Sequence, residues 1–159
     1  FDYEKRVGHS LAVDMFWNAI RRAEEGKYDD GIVRLYRTVE MFGQVEIHEE
    51  LGHHTDAVPL ELIPEDLRGD LNEKPGKEEV VELGLHDNYQ LLGELGNELG
   101  EKFLLHEEDF KKIMRTRNTS FLTHNFKAIE ESQFEALKDI IAGIFEINQT
   151  IQFPNLEID

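Results

Sequence analysis

Arg117 and His124 lie in the last third of the sequence, and their side chains together suit phosphodiester chemistry. Arginine presents a permanently charged, planar set of donors that matches a phosphate. Histidine exchanges protons near neutral pH. In RNA the 2′-hydroxyl of the substrate can act as the nucleophile, so an enzyme needs to supply phosphate charge stabilisation and proton transfer. RNA transesterification without a metal ion or a cofactor is therefore a candidate chemistry for this pair.

The separation of seven residues places both side chains on one helix face, because seven residues make nearly two turns. This spacing also arises by chance, in which case the arginine pairs with a carboxylate and the histidine packs at the edge of a bundle. The local charge favours a site. Between positions 111 and 127 the sequence has no Asp or Glu and holds five of the 17 basic residues, namely Lys111, Lys112, Arg115, Arg117 and Lys127.

The overall composition restricts the class of protein. The net charge of −17 argues against nucleic-acid binding, which depends on Lys and Arg, although the distribution of charge matters more than its sum when a site is small. The absence of cysteine excludes disulfides, thiolate metal sites and a cysteine nucleophile. No apolar run approaches the roughly 20 residues that span a bilayer, and the first residues do not resemble a signal peptide. We therefore expect a cytoplasmic protein that does not enter a membrane.

The hydrophobic pattern predicts an all-α bundle of about five helices in a single domain over residues 1–159. The predicted helices are one that ends at Gly26, a second from Asp30 to Leu51, a third over 86–104, a fourth from Glu107 into the 117–124 segment, and a last from Ser132. The apolar face of the first helix comprises Leu11, Met15, Phe16, Ala19, Ile20 and Ala23. Since the sequence does not begin with Met, we expect an excised domain or a processed product.

Three local patterns refine this prediction. Residues 52–84 are predicted to form a long irregular loop with a short helix after Pro64. Val80-Val81 has residue types typical of a strand, but we predict no strand there. Ser132 and Glu135 fit a capping box. Glycines recur through the third helix, at Gly93, Gly96 and Gly100, which indicates either close approach of another helix or a weak helix.

Two blocks resemble the HEPN domains of CRISPR-associated type III CARF–HEPN ribonucleases. The segment Arg117-Asn118-Thr119-Ser120-Phe121-Leu122-Thr123-His124 is similar to the R-x4–6-H motif of that family, including the polar residue after the arginine. The segment from Tyr28 to Glu40 resembles the second-helix signature of the same proteins. The resemblance covers most of the chain, and only these two blocks are specific.

The resemblance implies a metal-independent endoribonuclease that cleaves single-stranded RNA to a 2′,3′-cyclic phosphate and a 5′-hydroxyl, in CRISPR-linked antiviral defence. It implies that Arg117 holds the scissile phosphate, His124 transfers a proton or positions the 2′-hydroxyl, and Asn118 orients them. Flanking phosphates would meet Lys111, Lys112, Arg115 and Lys127. It also implies a symmetric homodimer with two Arg/His pairs in one cleft, and an amino-terminal CARF domain that binds cyclic oligoadenylate. No CARF-like pattern occurs in these 159 residues, so the resemblance implies that they are the carboxyl-terminal part of a longer protein.

Other interpretations compete with the nuclease. A HEPN-like scaffold without catalysis would suit the acidity. The first two helices also resemble one tetratricopeptide unit, but at least three are normally needed. The histidines at the end of the second helix, His48, His53 and His54, suit a metal site by residue type. Without a defined ligand spacing, solvated histidines at a helix end are the preferred explanation.

Arg34, Arg37 and Glu40 follow one another at intervals of three. We interpret them as a surface ion-pair ladder. The alternative is that Glu40 pairs with Arg117 in the cleft of a dimer.

Overall fold

The first two helices, α1 (Asp2–Glu24) and α2 (Tyr28–Leu51), pack along their lengths as a hairpin in the computed structural model. This structure describes residues 2–69, 80–119 and 126–147, with side chains described for 5–69, 80–115 and 130–147. Gly26 has φ of 79°, a conformation open to glycine, which confirms the predicted end of the first helix.

The buried face of α1 differs from the predicted one. Ala12, Phe16, Ala19 and Ala23 are buried, whereas Leu11 is 54% exposed. α2 packs closely against this face of α1. A Cβ atom on Gly31 of α2 would lie only 3.1 Å from the carbonyl oxygen of Ala19. Three alanines and Phe16 therefore form the buried face of α1, and Leu11 lies outside it.

α2 is the central helix and contacts α1, α4 (Leu85–Glu94) and α6 (Phe126–Ile144). Its apolar stripe faces the core, since Ile32, Leu35, Val39 and Phe42 are buried and Tyr36 is partly buried. The bundle core is therefore built around α2.

The segment between α2 and α4 is irregular, as predicted, but it contains short regular elements. β1 (Val58–Pro59) pairs antiparallel with β2 (Val80–Val81), a 3-10 turn spans Leu60–Leu62, and α3 spans Glu65–Arg68. The short helix predicted after Pro64 is thus confirmed. Val58 and Val81 are buried, so the two-stranded pairing belongs to the core.

The predicted third and fourth helices were divided at the wrong place. α4 ends at Glu94, and α5 runs without interruption over Glu98–Thr119. Gly96 adopts φ of 77° in the turn between them, which a helix interior does not permit. The apolar residues keep a helical period across this turn. Periodicity alone therefore predicts one helix over α4 and the start of α5, and places a false boundary inside α5.

Two of the three glycines explain how α4 and α5 pack. A Cβ on Gly100 would lie 2.5 Å from Leu92 Cβ and 2.7 Å from the backbone N of Gly93, and one on Gly93 would collide with Leu104. The expectation of close helix approach is therefore confirmed for Gly93 and Gly100, while Gly96 forms the turn.

α6 begins at Phe126, so the prediction that the last helix starts at Ser132 was wrong. Ser132 lies inside the helix and cannot form the predicted capping box with Glu135. The residues before Ser132 include Lys127, Ala128 and Glu130, which are good helix formers and extend the helix toward its amino end. The buried residues of this part of the chain include Phe134, Leu137, Ile141, Ile144 and Phe145.

Within the described ranges the chain has five helices of ten or more residues and the four-residue α3. This confirms the all-α prediction of about five helices.

Candidate active site

Arg117 and Asn118 lie in the last turn of α5, the helix that packs against both α4 and α6. Their backbone is helical, and their side chains lie outside the described part. His124 falls between α5 and α6, also outside the described residues. The presentation of Arg117 and His124 from one helix face therefore stays a prediction.

The other end of α5 is fixed by Asn97. The Oδ1 atom of Asn97 accepts a hydrogen bond from the backbone N–H of Gly100 at 3.0 Å, as a helix cap does. Its Nδ2 group donates to Glu46 Oε2 and Glu50 Oε1, both at 3.0 Å. The cap thus ties the start of α5 to α2.

Glu46 is 3% exposed and joins three helical segments through this network. Besides Asn97, it contacts the His9 imidazole at 2.9 Å and the Lys5 ammonium at 3.6 Å, both on α1. Burial by itself would raise the pKa of the Glu46 carboxyl, but hydrogen bonds from His9 and Asn97 and the charge of Lys5 together lower that pKa. We infer a buried, ionised carboxylate that holds α1, α2 and α5 in register.

The predicted RNA-binding residues are distributed over two helices. Lys111, Lys112 and Arg115 lie on successive turns of α5, before Arg117, and each is at least partly exposed. Lys111 forms an ion pair with Glu107 at 2.9 Å. Lys127 is the second residue of α6, and its side chain lies outside the described residues. The structure therefore brings three of the four basic residues onto one stretch of helix that leads to Arg117.

A groove of about 680 Å³ opens beside this stretch, between α2, α4 and α5. Its floor contains Tyr36, Leu85, Phe103 and Phe110, and Val33 and Met114 line its edges. His86, Glu107, Lys111 and Arg115 form its polar side. The lining residues come from positions 33 to 115, so no short motif in the sequence could have revealed this groove.

The histidines that end α2 form a small surface cluster. His48 and His54 stack with ring centroids 4.8 Å apart, and Gly52 in the left-handed conformation donates its N–H to the His48 carbonyl. Among the residues that the structure describes, no three His, Asp or Glu side chains converge as a metal site would require.

The ladder predicted on α2 is present, although its partners differ slightly. Arg37 contacts Glu40 at 3.6 Å, and Arg34 contacts Asp30 at 3.3 Å. These are partly exposed pairs within one helix, and such pairs contribute a few tenths of a kcal/mol. The alternative contact between Glu40 and Arg117 lies outside the described residues.

A family model described as "Csm6 HEPN domain" matches residues 2–148 of the chain. The match spans every helix, including the α1–α2 hairpin that resembles a tetratricopeptide unit. No match was found among curated proteins or among solved structures. In the described ranges, none of the helices has the length and apolar character needed to cross a bilayer.

Proposed function

The chain belongs to the Csm6 HEPN domain family, and from that premise we propose that it is a metal-independent endoribonuclease acting on single-stranded RNA. The family match confirms a HEPN domain of a CRISPR-associated protein. The observation that carries the further step is the segment from Arg117 to His124, which has the family's arginine-to-histidine pattern and begins in the last turn of α5. Its acid-free flanks add local positive charge to an acidic chain.

The proposed reaction is an internal transesterification. The 2′-hydroxyl oxygen attacks the adjacent phosphorus, the bond to the 5′-oxygen breaks, and the products carry a 2′,3′-cyclic phosphate and a 5′-hydroxyl. Arg117 offsets the charge that develops on the phosphoryl oxygens. His124 transfers a proton or orients the 2′-hydroxyl, and Asn118 orients the pair or the RNA. Lys111, Lys112, Arg115 and Lys127 attract the flanking phosphates.

The proposed working unit is a symmetric homodimer. A two-fold axis would bring two copies of the 111–127 segment together, so that two Arg/His pairs share one cleft and their basic residues add. In the parent protein, we propose that an amino-terminal CARF domain switches on this cleft when it binds cyclic oligoadenylate. The biological setting would then be CRISPR-linked antiviral defence in the cytoplasm.

Substitution of the two predicted catalytic residues tests this proposal. Arg117→Ala and His124→Ala should each reduce cleavage of a fluorophore–quencher single-stranded RNA by at least about 100-fold, the contribution typical of such groups. His106→Ala, an exposed histidine on α5, serves as the matched control and should cleave normally. Circular dichroism should show equal helicity for all variants. Undiminished cleavage by purified His124→Ala protein would refute the assignment.

The same assay tests the chemistry. Cleavage should continue in EDTA, and an RNA with a single 2′-deoxynucleotide at the cut site should resist cleavage at that position. Loss of activity in EDTA would instead indicate a metal-dependent reaction.

The second candidate is a HEPN-like scaffold that binds a protein partner without catalysis, and the net charge of −17 favours it. Absence of cleavage by the wild-type parent protein, with its CARF domain and in the presence of cyclic oligoadenylate, would select this candidate.

A further inference from the structure

The end of α6 is anchored to α5, and this fixes where the residues that follow it begin. Glu146 adopts the left-handed conformation, with φ of 54°. The next residue, Ile147, is buried and donates its N–H to the Ala142 carbonyl at 3.0 Å, as in a Schellman helix end. The Glu146 carboxylate forms an ion pair with Lys102 of α5 at 2.7 Å. The 148–159 segment, which lies outside the described residues, therefore starts beside Lys102.

The 148–159 segment is apolar along most of its length and acidic only at its end. Positions 148–156 carry no charged side chain, and the two acidic residues are Glu157 and Asp159. The family match ends at residue 148, so nearly all of the segment lies outside the part that the family shares. Its large apolar side chains gain free energy on any surface that removes them from water, and they are Ile151, Phe153, Leu156 and Ile158.

The surface of α5 that leads away from Lys102 presents an open apolar side chain. Leu105 is 82% exposed, the highest value among the large apolar side chains described. It lies three residues beyond Lys102, almost one turn along the helix. The exposed residues Glu101 and Glu108 flank Leu105 and are acidic. Such a surface suits an uncharged apolar segment and repels an acidic one.

Farther along α5, the groove between α2, α4 and α5 has open apolar edges. Val33 is 49% exposed, and Leu85 and Met114 line the same groove. Contiguous apolar surface that remains open to water commonly marks a binding site. The volume of about 680 Å³ lies within the range of roughly 300–1,000 Å³ that binding sites occupy, and it has room for several aliphatic side chains.

The far end of this groove meets the basic part of α5. Lys111 lines the groove and opens the stretch 111–127, which has no Asp or Glu. Lys111 already contacts Glu107 at 2.9 Å, but a lysine ammonium has three donors. It can therefore bind a second carboxylate without leaving Glu107. An acidic residue that reaches this end of the groove gains a favourable partner.

The 148–159 segment is long enough to reach this end around the outside of α5. Lys102 and Lys111 are nine residues apart, which is about 14 Å along the axis and two and a half turns, so they lie on opposite sides of the helix. Half the circumference of a helix about 10–12 Å wide brings the surface path to roughly 22 Å. The twelve residues of the segment span up to about 40 Å when extended.

We infer that the 148–159 segment docks on its own chain, crossing α5 over Leu105 and filling the groove, with Glu157 and Asp159 beside Lys111. The order along the segment, uncharged before acidic, matches the order along the surface, acidic around Leu105 and basic beyond it. Because the proposed ribonuclease function places RNA phosphates on the same basic stretch, the docked segment competes with RNA. The docking stands on the structure, and the autoinhibition rests on the proposed function.

Paramagnetic relaxation in the full chain tests the docking. The chain has no cysteine, so Asn155→Cys carries a single nitroxide label within the segment. The amide signals of Val33, His86 and Lys111 should lose intensity. The signal of Leu51, about 27 Å from Val33 along α2, should keep its intensity. Uniform broadening, or none, would overturn the docking.

A mixed sample identifies the occupant of the groove. Isotope-labelled wild-type protein is combined with unlabelled Asn155→Cys protein that carries the nitroxide. Docking within one chain should leave the signals of this mixture sharp. Broadening at Val33 and Lys111 in the mixture would show that the segment of a second copy fills the groove, and would overturn docking within one chain.

Matched serine substitutions test the crossing point. Leu105→Ser, made in the Asn155→Cys protein, should reduce the broadening at Lys111 several-fold, because the segment loses an apolar contact. Leu11→Ser removes the same side chain from α1, where it is 54% exposed, and should have no effect. Equal effects of the two substitutions would contradict a path over Leu105.

Charge-matched variants test the competition with RNA by binding rather than by cleavage. Neutralising the end of the segment with Glu157→Gln and Asp159→Asn should tighten binding of a single-stranded RNA several-fold. The control pair Glu24→Gln and Asp139→Asn makes the same change in charge at exposed positions on α1 and α6 and should alter binding much less. Equal tightening by both pairs would show an effect of net charge alone and would overturn the autoinhibition.

The docking and the nuclease can fail independently. Selective broadening around the groove in a protein that cleaves no RNA would retain the docking and refute the nuclease. RNA cleavage by a protein without that broadening would refute the docking alone.

Discussion

Glu46 shows how a single residue supports a distant site. Its carboxylate is buried, yet it forms hydrogen bonds with His9 and Asn97 and an ion pair with Lys5. Since Asn97 also caps α5, a change at Glu46 is transmitted to the start of the helix that carries Arg117 at its other end. Buried ionised groups are costly when they lose a partner, so this network should be essential for stability.

Glu46→Gln should lower the free energy of unfolding by roughly 1.5–3 kcal/mol at pH 7, the usual contribution of hydrogen bonds to a charged group. Because the folded protein lowers the pKa of Glu46 below the ordinary value of 4.5, its charge stabilises the fold above that pH. The stabilisation is lost as pH falls through the folded-state pKa.

Urea unfolding from pH 7 down to 3.5 measures this effect. The difference between wild type and Glu46→Gln should shrink below pH 4.5, while the exposed control Glu101→Gln should stay close to wild type throughout. A difference that is the same at every pH would show that the substitution acts by shape rather than by charge.

At this scale the sequence predicts site residues only where a local pattern marks them. Arg117 and His124 are distinctive because an acid-free stretch surrounds them and because they fit a family motif. Glu46 is one of 34 acidic residues, and nothing near it in the sequence shows that it is buried. Its partners lie 37 and 51 positions away, so only the fold brings them together.

At the scale of elements, the α4–α5 hairpin depends on close contact between two glycines. Gly100→Ala would place a methyl group 2.5–2.7 Å from atoms of Leu92 and Gly93, two of them backbone atoms that cannot easily move. We expect a loss of about 1–3 kcal/mol from this overpacking, measured by urea unfolding.

Gly143→Ala is the matched substitution. Gly143 lies within α6 and a Cβ there would meet no atom within 4 Å, so the change should stabilise the protein by up to about 1 kcal/mol through helix propensity. Destabilisation by both substitutions to the same extent would contradict the packing argument for Gly100.

These glycines also show why the element boundaries were harder to predict than the elements. Gly93, Gly96 and Gly100 are all glycines at helical intervals of three and four residues, but two of them permit helix contact and one makes a turn. That difference arises from the tertiary packing of α4 on α5. Likewise, Ser132 and Glu135 match a capping box in sequence, but the helix had already begun at Phe126.

At the scale of the whole molecule, the central question is whether two copies of the 117–124 segment face one another. The chain has no cysteine, so a single engineered cysteine can carry a spin label without background. We expect Thr119→Cys labels to give a short distance between protomers. Glu98→Cys labels, about 30 Å away at the other end of α5, should give a longer one.

Pulsed electron–electron double resonance measures both distances, and the cleavage assay verifies that each labelled protein remains active. Absence of dipolar coupling in either active protein, or a shorter distance for Glu98→Cys, would contradict the proposed two-fold cleft.

The pairing of β1 with β2 gives the chain an insertion point. The polypeptide leaves this pair after Pro59, packs Ile63 and Leu67 into the core, and returns to the pair at Val80. Leu83 donates its N–H to the Thr55 carbonyl at 2.7 Å just outside the pair. Closure entropy grows only with the logarithm of loop length, by about 0.6 kcal/mol for each doubling. Extra residues spliced in directly after the exposed Gly69, beyond Ile63 and Leu67, would therefore cost the bundle little, and a reporter domain can be inserted there while both termini stay untouched.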